Sequence, residues 1–155
     1  MVSPPVKALL EIFAADPALF AEPPAIYGLP GKLQPAESFT RSRILGVQDP
    51  MIIFANFEYE ADATSQAVKG WKDLVRHARD EEQGTLSYTV LEDVEKGWVR
   101  TVEAYESREF LEGVHVKSAA VGENQRQNGA WRTGRKEVWR LRMVAGYLHK
   151  EDVKE

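Results

Sequence analysis

The chain has 155 residues, 43% of them hydrophobic and 28% charged, enough apolar material for one core and too little length for two full-size domains. Zero cysteines exclude disulfides, thiolate zinc sites, iron–sulfur clusters and a cysteine nucleophile. The three histidines, His77, His115 and His149, show no HxH or HExxH spacing, so no metal site is expected. A net charge of −4 with a pI near 5.5 weighs against general nucleic-acid binding. No apolar run approaches the roughly 20 residues that cross a bilayer, and Met1-Val2-Ser3-Pro4-Pro5-Val6-Lys7 does not lead into a signal core, so a soluble, cytoplasmic chain is expected.

All eight prolines fall within residues 1–50, which predicts a helical and extended arm there, followed by regular elements over 51–148 and a tail at 149–155. Ser3 can cap a helix opened by Pro4 and Pro5, with Val6, Leu9, Leu10 and Phe13 along one face. Asp16-Pro17 can start a second short turn, Pro23-Pro24 ends it, and residues 25–50 read as a wrapping, extended connection.

Residues 51–59, Met51-Ile52-Ile53-Phe54-Ala55-Asn56-Phe57-Glu58-Tyr59, form a β-branched and aromatic run of strand length, interrupted by the polar Asn56. From Asp62 or Thr64 to about Arg79 a helix is predicted, with Ala67, Trp71, Leu74, Val75 and Ala78 inward and Glu82-Gln83-Gly84 as its stop. Residues 85–91 alternate as a second strand, 92–97 turn, and 98–105 form a third strand able to pair with it. Ser107 caps a helix running through Phe110, Leu111, Val114, Ser118 and Val121; Gly122 to Gly134 reads as a polar loop, and Arg135 to Ala145 as a fourth strand.

The order βαββαβ is that of the ferredoxin-like α+β fold, an antiparallel sheet with both helices on one face. The other face also carries apolar residues and has no helix left to cover it, so a homodimer through the sheets is expected.

Three motifs carry a resemblance. Glu82-Gln83-Gly84-Thr85-Leu86-Ser87-Tyr88 at the helix-to-strand turn, Glu103-Ala104-Tyr105 at the end of the third strand, and His115-Val116-Lys117-Ser118 on the second helix together resemble the antibiotic biosynthesis monooxygenases, a family of dimeric α/β barrels. The resemblance spans residues 51 to about 145 and leaves the arm outside it. It implies a cofactor-free oxygenase for electron-rich aromatics such as anthrones, quinols and naphthols, often from polyketide pathways. A deprotonated phenol or anthrone can pass an electron to O2 directly, so the protein has only to bind, deprotonate and hold the anion.

An unpaired Asn56 amide within an apolar strand would cost roughly 1–3 kcal/mol, so a partner is expected. The resemblance implies that Asn56 holds the substrate oxygen or an oxygen intermediate. His115 matches the family's helix histidine and is the side chain best suited to take a phenolic proton; a second histidine often found in the family is here Ala120. Phe54, Trp71, Tyr88, Trp98 and Tyr105 suit either a packed core or an aromatic pocket, the two tyrosines adding hydroxyls that can orient a quinol. Arg100 can neutralise a phenolate or carboxylate, or pair with Glu58 or Glu103.

Residues 126–142 concentrate Arg126, Arg132, Arg135, Lys136, Arg140 and Arg142, with Trp131 and Trp139 between them. RNA-recognition sheets combine such residues, but their third-strand signature is absent from Gly97-Trp98-Val99-Arg100-Thr101-Val102-Glu103-Ala104. A dimer contact or an anionic substrate fits better. The haem-degrading proteins of this fold carry a tryptophan and a haem-ligating histidine where this chain has Phe110-Leu111-Glu112-Gly113-Val114 and Gly122-Glu123-Asn124. The resulting expectation is oxygenation by Asn56 and His115, with Phe54, Trp71, Tyr88, Arg100 and Tyr105 binding a small aromatic substrate, O2 as co-substrate, and neither nucleic acid nor membrane as partner. A non-oxidative cyclase, decarboxylase or ligand carrier is the alternative.

Overall fold

The computed structural model describes residues 11, 12, 15, 34–60, 62–93 and 96–142. The helix predicted after Ser3, the turn at Asp16-Pro17, the Pro23-Pro24 stop and the tail at 149–155 lie outside the described residues. Backbone contacts divide the chain into Met1–Pro30 and Gly31–Glu155, and the sheet with its helices belongs to the second unit.

Five strands, β1 (Gln34–Thr40), β2 (Met51–Tyr59), β3 (Thr85–Asp93), β4 (Trp98–Tyr105) and β5 (Arg132–Arg142), form one sheet in the order β1-β3-β4-β2-β5, with every neighbouring pair antiparallel. The helix α1 (Thr64–Glu81) carries the chain from β2 to β3, and β4 fills the gap left between those two strands. From β2 onward this is the predicted ferredoxin-like α+β fold. The extended connection expected before residue 50 becomes, over Gln34–Thr40, an edge strand on β3. Its Pro35 is tolerated because an edge strand can spare a ladder donor.

The buried face of α1 is Ala67, Val68, Gly70, Trp71, Leu74, Val75 and Ala78, recurring at helical spacing. It packs over Ile53, Ala55, Phe57 and Tyr59, the odd-numbered residues of β2. At the end of α1 the Arg41 guanidinium donates to the carbonyls of Arg79 (2.5 Å) and Thr85 (2.8 Å). A cation there satisfies orphan carbonyls and complements the helix dipole, fixing the corner that carries Glu82.

The second helical region differs from the continuous helix predicted. Ser107 does cap a turn, accepting from the Phe110 amide, but α2 (Arg108–Phe110) passes at once into a π turn over Leu111–His115. The chain then breaks, and Ser118 caps a separate helix, α3 (Ala119–Asn128), which runs on from Gly122 into the stretch expected to be a loop. The physical reason is that α3 buries a polar stripe, Asn124 and Asn128, which leaves no hydrophobic period to read. Asn128 Nδ2 donates to the Ala67 carbonyl, and a Cβ at Gly70 would lie 2.8 Å from that nitrogen; glycine is what lets α1 and α3 come this close. No helix among the described residues is long and apolar enough to cross a membrane.

Candidate active site

A cavity of about 390 Å³ lies between the helix-covered face of the sheet and the helices, within the size range of small-molecule sites. Ile53, Ala55, Phe57, Tyr88 and Glu103 line it from the sheet, Trp71 and Leu74 from α1, and Leu111, His115 and Val121 from the second helical region. Asn124 and Gln125 of α3 and Arg132, Lys136, Val138 and Arg140 of β5 complete the lining.

The π turn sets the position of His115. Its wider i→i+5 bond, Val116 N–H to the Leu111 carbonyl, turns Leu111 and His115 inward while Glu112, Gly113 and Val114 stay exposed. His115 Nδ1 lies 2.7 Å from Glu82 Oε2, both side chains being buried. Glu82 also accepts from Thr85 Oγ1 at 2.8 Å, and His77 stands 3.8 Å from its other oxygen. Burial pushes the Glu82 carboxyl up, but the bond and charge of His115 and the bond from Thr85 outweigh this and hold it below its ordinary value. A carboxylate on Nδ1 fixes the proton there and leaves Nε2 as the basic nitrogen of the imidazole.

Beneath His115 lie the rings of Tyr105 and Tyr88, with centroids 5.0 and 5.7 Å away. Glu103 is buried beside them, accepting from Thr101 Oγ1 at 2.6 Å and from the Tyr105 hydroxyl at 2.7 Å. Burial, followed by the Glu103 charge, raises both tyrosines well above the ordinary phenol value, so they serve as hydrogen-bond donors rather than bases. Residues from all three motifs meet here: Glu82, Thr85 and Tyr88 from the first, Glu103 and Tyr105 from the second, His115 from the third. Ser118 of the third motif caps α3 through the Val121 amide.

The structure brings His115, Trp71 and Tyr88 together on the cavity. Trp71 is a wall, its indole N–H donating to the Tyr59 hydroxyl at 2.9 Å and its ring 4.7 Å from that of Phe57. Tyr105 is fully buried under the cluster and is not among the lining residues; it supports the site through Glu103. Phe54, Asn56 and Arg100 do not join His115. Strand alternation sends them, with Trp98, to the helix-free face, where Asn56 stands opposite Arg100 on β4 and Glu137 on β5. There the expected partner of Asn56 is found: Nδ2 donates to Glu137 Oε2 at 3.2 Å. Arg100 pairs with Asp93 at 3.1 Å and lies over the Trp98 ring, while Glu103 faces the other side of the sheet.

Sequence reasoning missed Glu82 as the partner of His115, although the residue opens the first motif. It placed Glu103 in the second motif but gave it no role beyond a mate for Arg100, where the two-residue period of β4 groups it with Thr101 and Tyr105 instead. Asn124 was passed over because its helix was. No three of the described histidine, aspartate and glutamate side chains gather as metal ligands would.

No family model matches the sequence, and no curated protein matches it. Solved structures do match. A protein from Caulobacter crescentus CB15, provisionally named an antibiotic biosynthesis monooxygenase, superposes with a TM-score of 0.58 at 20% identity, over 66% of this chain and 97% of that one. The chain has the fold of the antibiotic biosynthesis monooxygenases. Rv0793 of Mycobacterium tuberculosis matches with a TM-score of 0.56 at 26% identity, over 63% of this chain and 97% of its own. A provisionally named monooxygenase from Lactobacillus acidophilus NCFM gives a TM-score of 0.62 at 14% identity and 71% coverage, and this chain spans 50% of that protein's length. At such identities the likeness is one of fold, and function has to be argued from the site.

Proposed function

We propose that the chain is a cofactor-independent monooxygenase of the cytoplasm that oxidises a small polycyclic phenol, anthrone or quinol, of the kind made in polyketide pathways, with His115 as base. The observation that carries this reading is the buried Glu82–His115 pair, 2.7 Å apart, on the wall of a ligand-sized cavity. The imidazole takes the acidic proton of the bound aromatic, and the resulting anion reduces O2 by single-electron steps. For an anthrone the balance closes with no other reductant. Carbanion and O2 combine to a peroxide, the imidazolium returns its proton, and loss of water leaves the quinone carbonyl. One oxygen atom ends in the product and the other in water. Trp71, Phe57 and Tyr88 hold the ring system, and Asn56 takes no part in the proton transfer.

We further propose a homodimer through the helix-free face, where Phe54 stands opposite Val102 and Trp139, and Ile52 opposite Leu141; Val102, Trp139 and Leu141 are exposed there. The test of the activity is oxygen uptake by metal-stripped protein with a panel of anthrones, naphthols and quinols and no added cofactor. Uptake above the spontaneous rate, falling about 10²–10⁴-fold in His115→Ala, is expected. Tight binding with no uptake would overturn it in favour of non-oxidative chemistry or carriage.

A further inference from the structure

The six basic residues of the segment 126–142 do not serve one purpose. Arg126 is spent on Glu123 and Arg142 on Asp49, both in exposed ion pairs. Arg132, Lys136 and Arg140 instead line the cavity, and none of the three has a carboxylate partner among the described residues. Strand pairing explains how they gather. Lys136 stands opposite Phe57, Val138 opposite Ala55 and Arg140 opposite Ile53, all on the helix-covered face. Beyond the register irregularity between Phe57 and Tyr59, where Gly134 has the φ of +91° that suits glycine, Arg132 stands opposite Tyr59 on the same face. The Arg132 guanidinium and the Lys136 ammonium lie 4.9 and 5.7 Å from the centre of the Phe57 ring. In a chain of net charge −4, three unpaired cations on one cavity wall are not a by-product of overall basicity.

The unpartnered buried groups of the cavity have the same character. Among the described residues, Asn124, 3% exposed, keeps a buried Nδ2 with no hydrogen-bond partner, and Arg132 keeps a buried Nε in the same condition. Both are donors facing the same space, and an anionic or carbonyl acceptor on a ligand would satisfy them. His115 packs on Tyr88 of β3 and Tyr105 of β4, whereas the cations stand on β5, two strand spacings beyond β4, a separation of about 10 Å. That is the length of a fused two-ring or three-ring aromatic.

Taking the cavity as the aromatic site proposed above, we infer that its ligand is an aromatic carboxylate. A phenolic or acidic C–H end faces His115, and the remote carboxylate is received by Arg132, Lys136 and the Asn124 amide. Phe57 and Trp71 flank the rings between the two ends. Guanidinium and amide donors bind a carboxylate by charge-assisted hydrogen bonds.

The experiment measures anaerobic binding by calorimetry of two matched probes, 6-hydroxy-2-naphthoate and 2-naphthol. The carboxylate is expected to bind at least about tenfold more tightly at low salt. Lys136→Gln with Arg132→Gln should abolish the preference, and Asn124→Asp, isosteric but anionic, should reverse it. Equal affinities in the parent protein, or a preference that survives the double variant, would overturn the inference while leaving the aromatic site standing. If neither probe binds at millimolar concentration, the reading of the cavity as an aromatic site falls, and the carboxylate inference with it. Because no turnover is measured, a failure of oxygenation alone does not touch the result.

Discussion

The two faces of the sheet use the same residue types for different ends. On the helix-covered face, polar side chains are linked in one buried cluster, Glu82 with His115 and Thr85, and Glu103 with Tyr105 and Thr101, and the cluster borders a cavity. On the helix-free face, Asn56 meets Glu137 and Arg100 meets Asp93 in separate pairs set among Phe54, Trp98, Val102 and Trp139. A single strand, β2, supplies both sides: Ile53, Ala55 and Phe57 line the cavity while Phe54 and Asn56 look away. Proximity in sequence therefore says little about membership of a site, and parity within a strand says a great deal.

The largest expected effect comes from unlinking the helix-covered cluster. Glu82→Ala strands a buried imidazole and the Thr85 hydroxyl, and truncating one partner of a buried pair costs roughly 3–5 kcal/mol. Denaturant unfolding should register the loss directly. The milder Glu82→Gln tests the electrostatics alone. With its folded pKa depressed, the carboxylate contributes stability that is fully present above the ordinary glutamate value of about 4.3. That contribution is lost as pH falls through the depressed folded value. The parent protein should therefore lose stability on acidification through this window more steeply than Glu82→Gln. Parallel curves for the two would mean that Glu82 is not held by His115 as described.

A smaller effect tests the corner that joins α1 to β3. Gly84 packs so closely under Phe110 that a Cβ would clash with the ring, and Phe110 in turn lies on Tyr105 with centroids 6.5 Å apart. Gly84→Ala must displace the ring, at a cost of about 1–3 kcal/mol. The shift passes to Tyr105 and so to the His115 cluster, so turnover should fall along with the melting temperature. A stable Gly84→Ala protein of unchanged activity would show that the ring can yield without disturbing the cluster.

Most of the fold was legible because its signals are periodic. The inward face of α1, the alternation of β3 and the β3–β4 pairing follow from apolar spacing, and the helix predicted from Asp62 or Thr64 to about Arg79 is found at Thr64–Glu81. β1 was not legible as a strand, since Pro35, Glu37 and Ser38 are residues that only an edge tolerates. Nor, beyond Val121, was α3, whose buried stripe is amide rather than hydrocarbon. The site was half legible. His115, Trp71 and Tyr88, which line the cavity, were singled out by type and motif, whereas Glu82 meets His115 across 33 residues of sequence, Glu103 is tied to Thr101 and Tyr105 by a strand parity that was not applied to it, and Asn124 lies on a helix with no apolar period. Asn56 was drawn to His115 by resemblance, against the strand parity that separates them.

The smallest expected effect on the cavity is also the sharpest test of the two-faced sheet. Val102 is 40% exposed on the helix-free face, opposite Phe54, so Val102→Lys sets a charge into the surface through which the homodimer is proposed to form. Sedimentation equilibrium should show the parent as a dimer and the variant shifted toward monomer, because an unpaired charge in a buried apolar contact has no compensation. The same substitution, and Asn56→Ala beside it, should leave aromatic affinity within about twofold of the parent, below the scale of a single lost hydrogen bond. A fall of tenfold or more in either variant would join the two faces into one site. The ligand would then have to be sought between the paired sheets rather than beneath the helices.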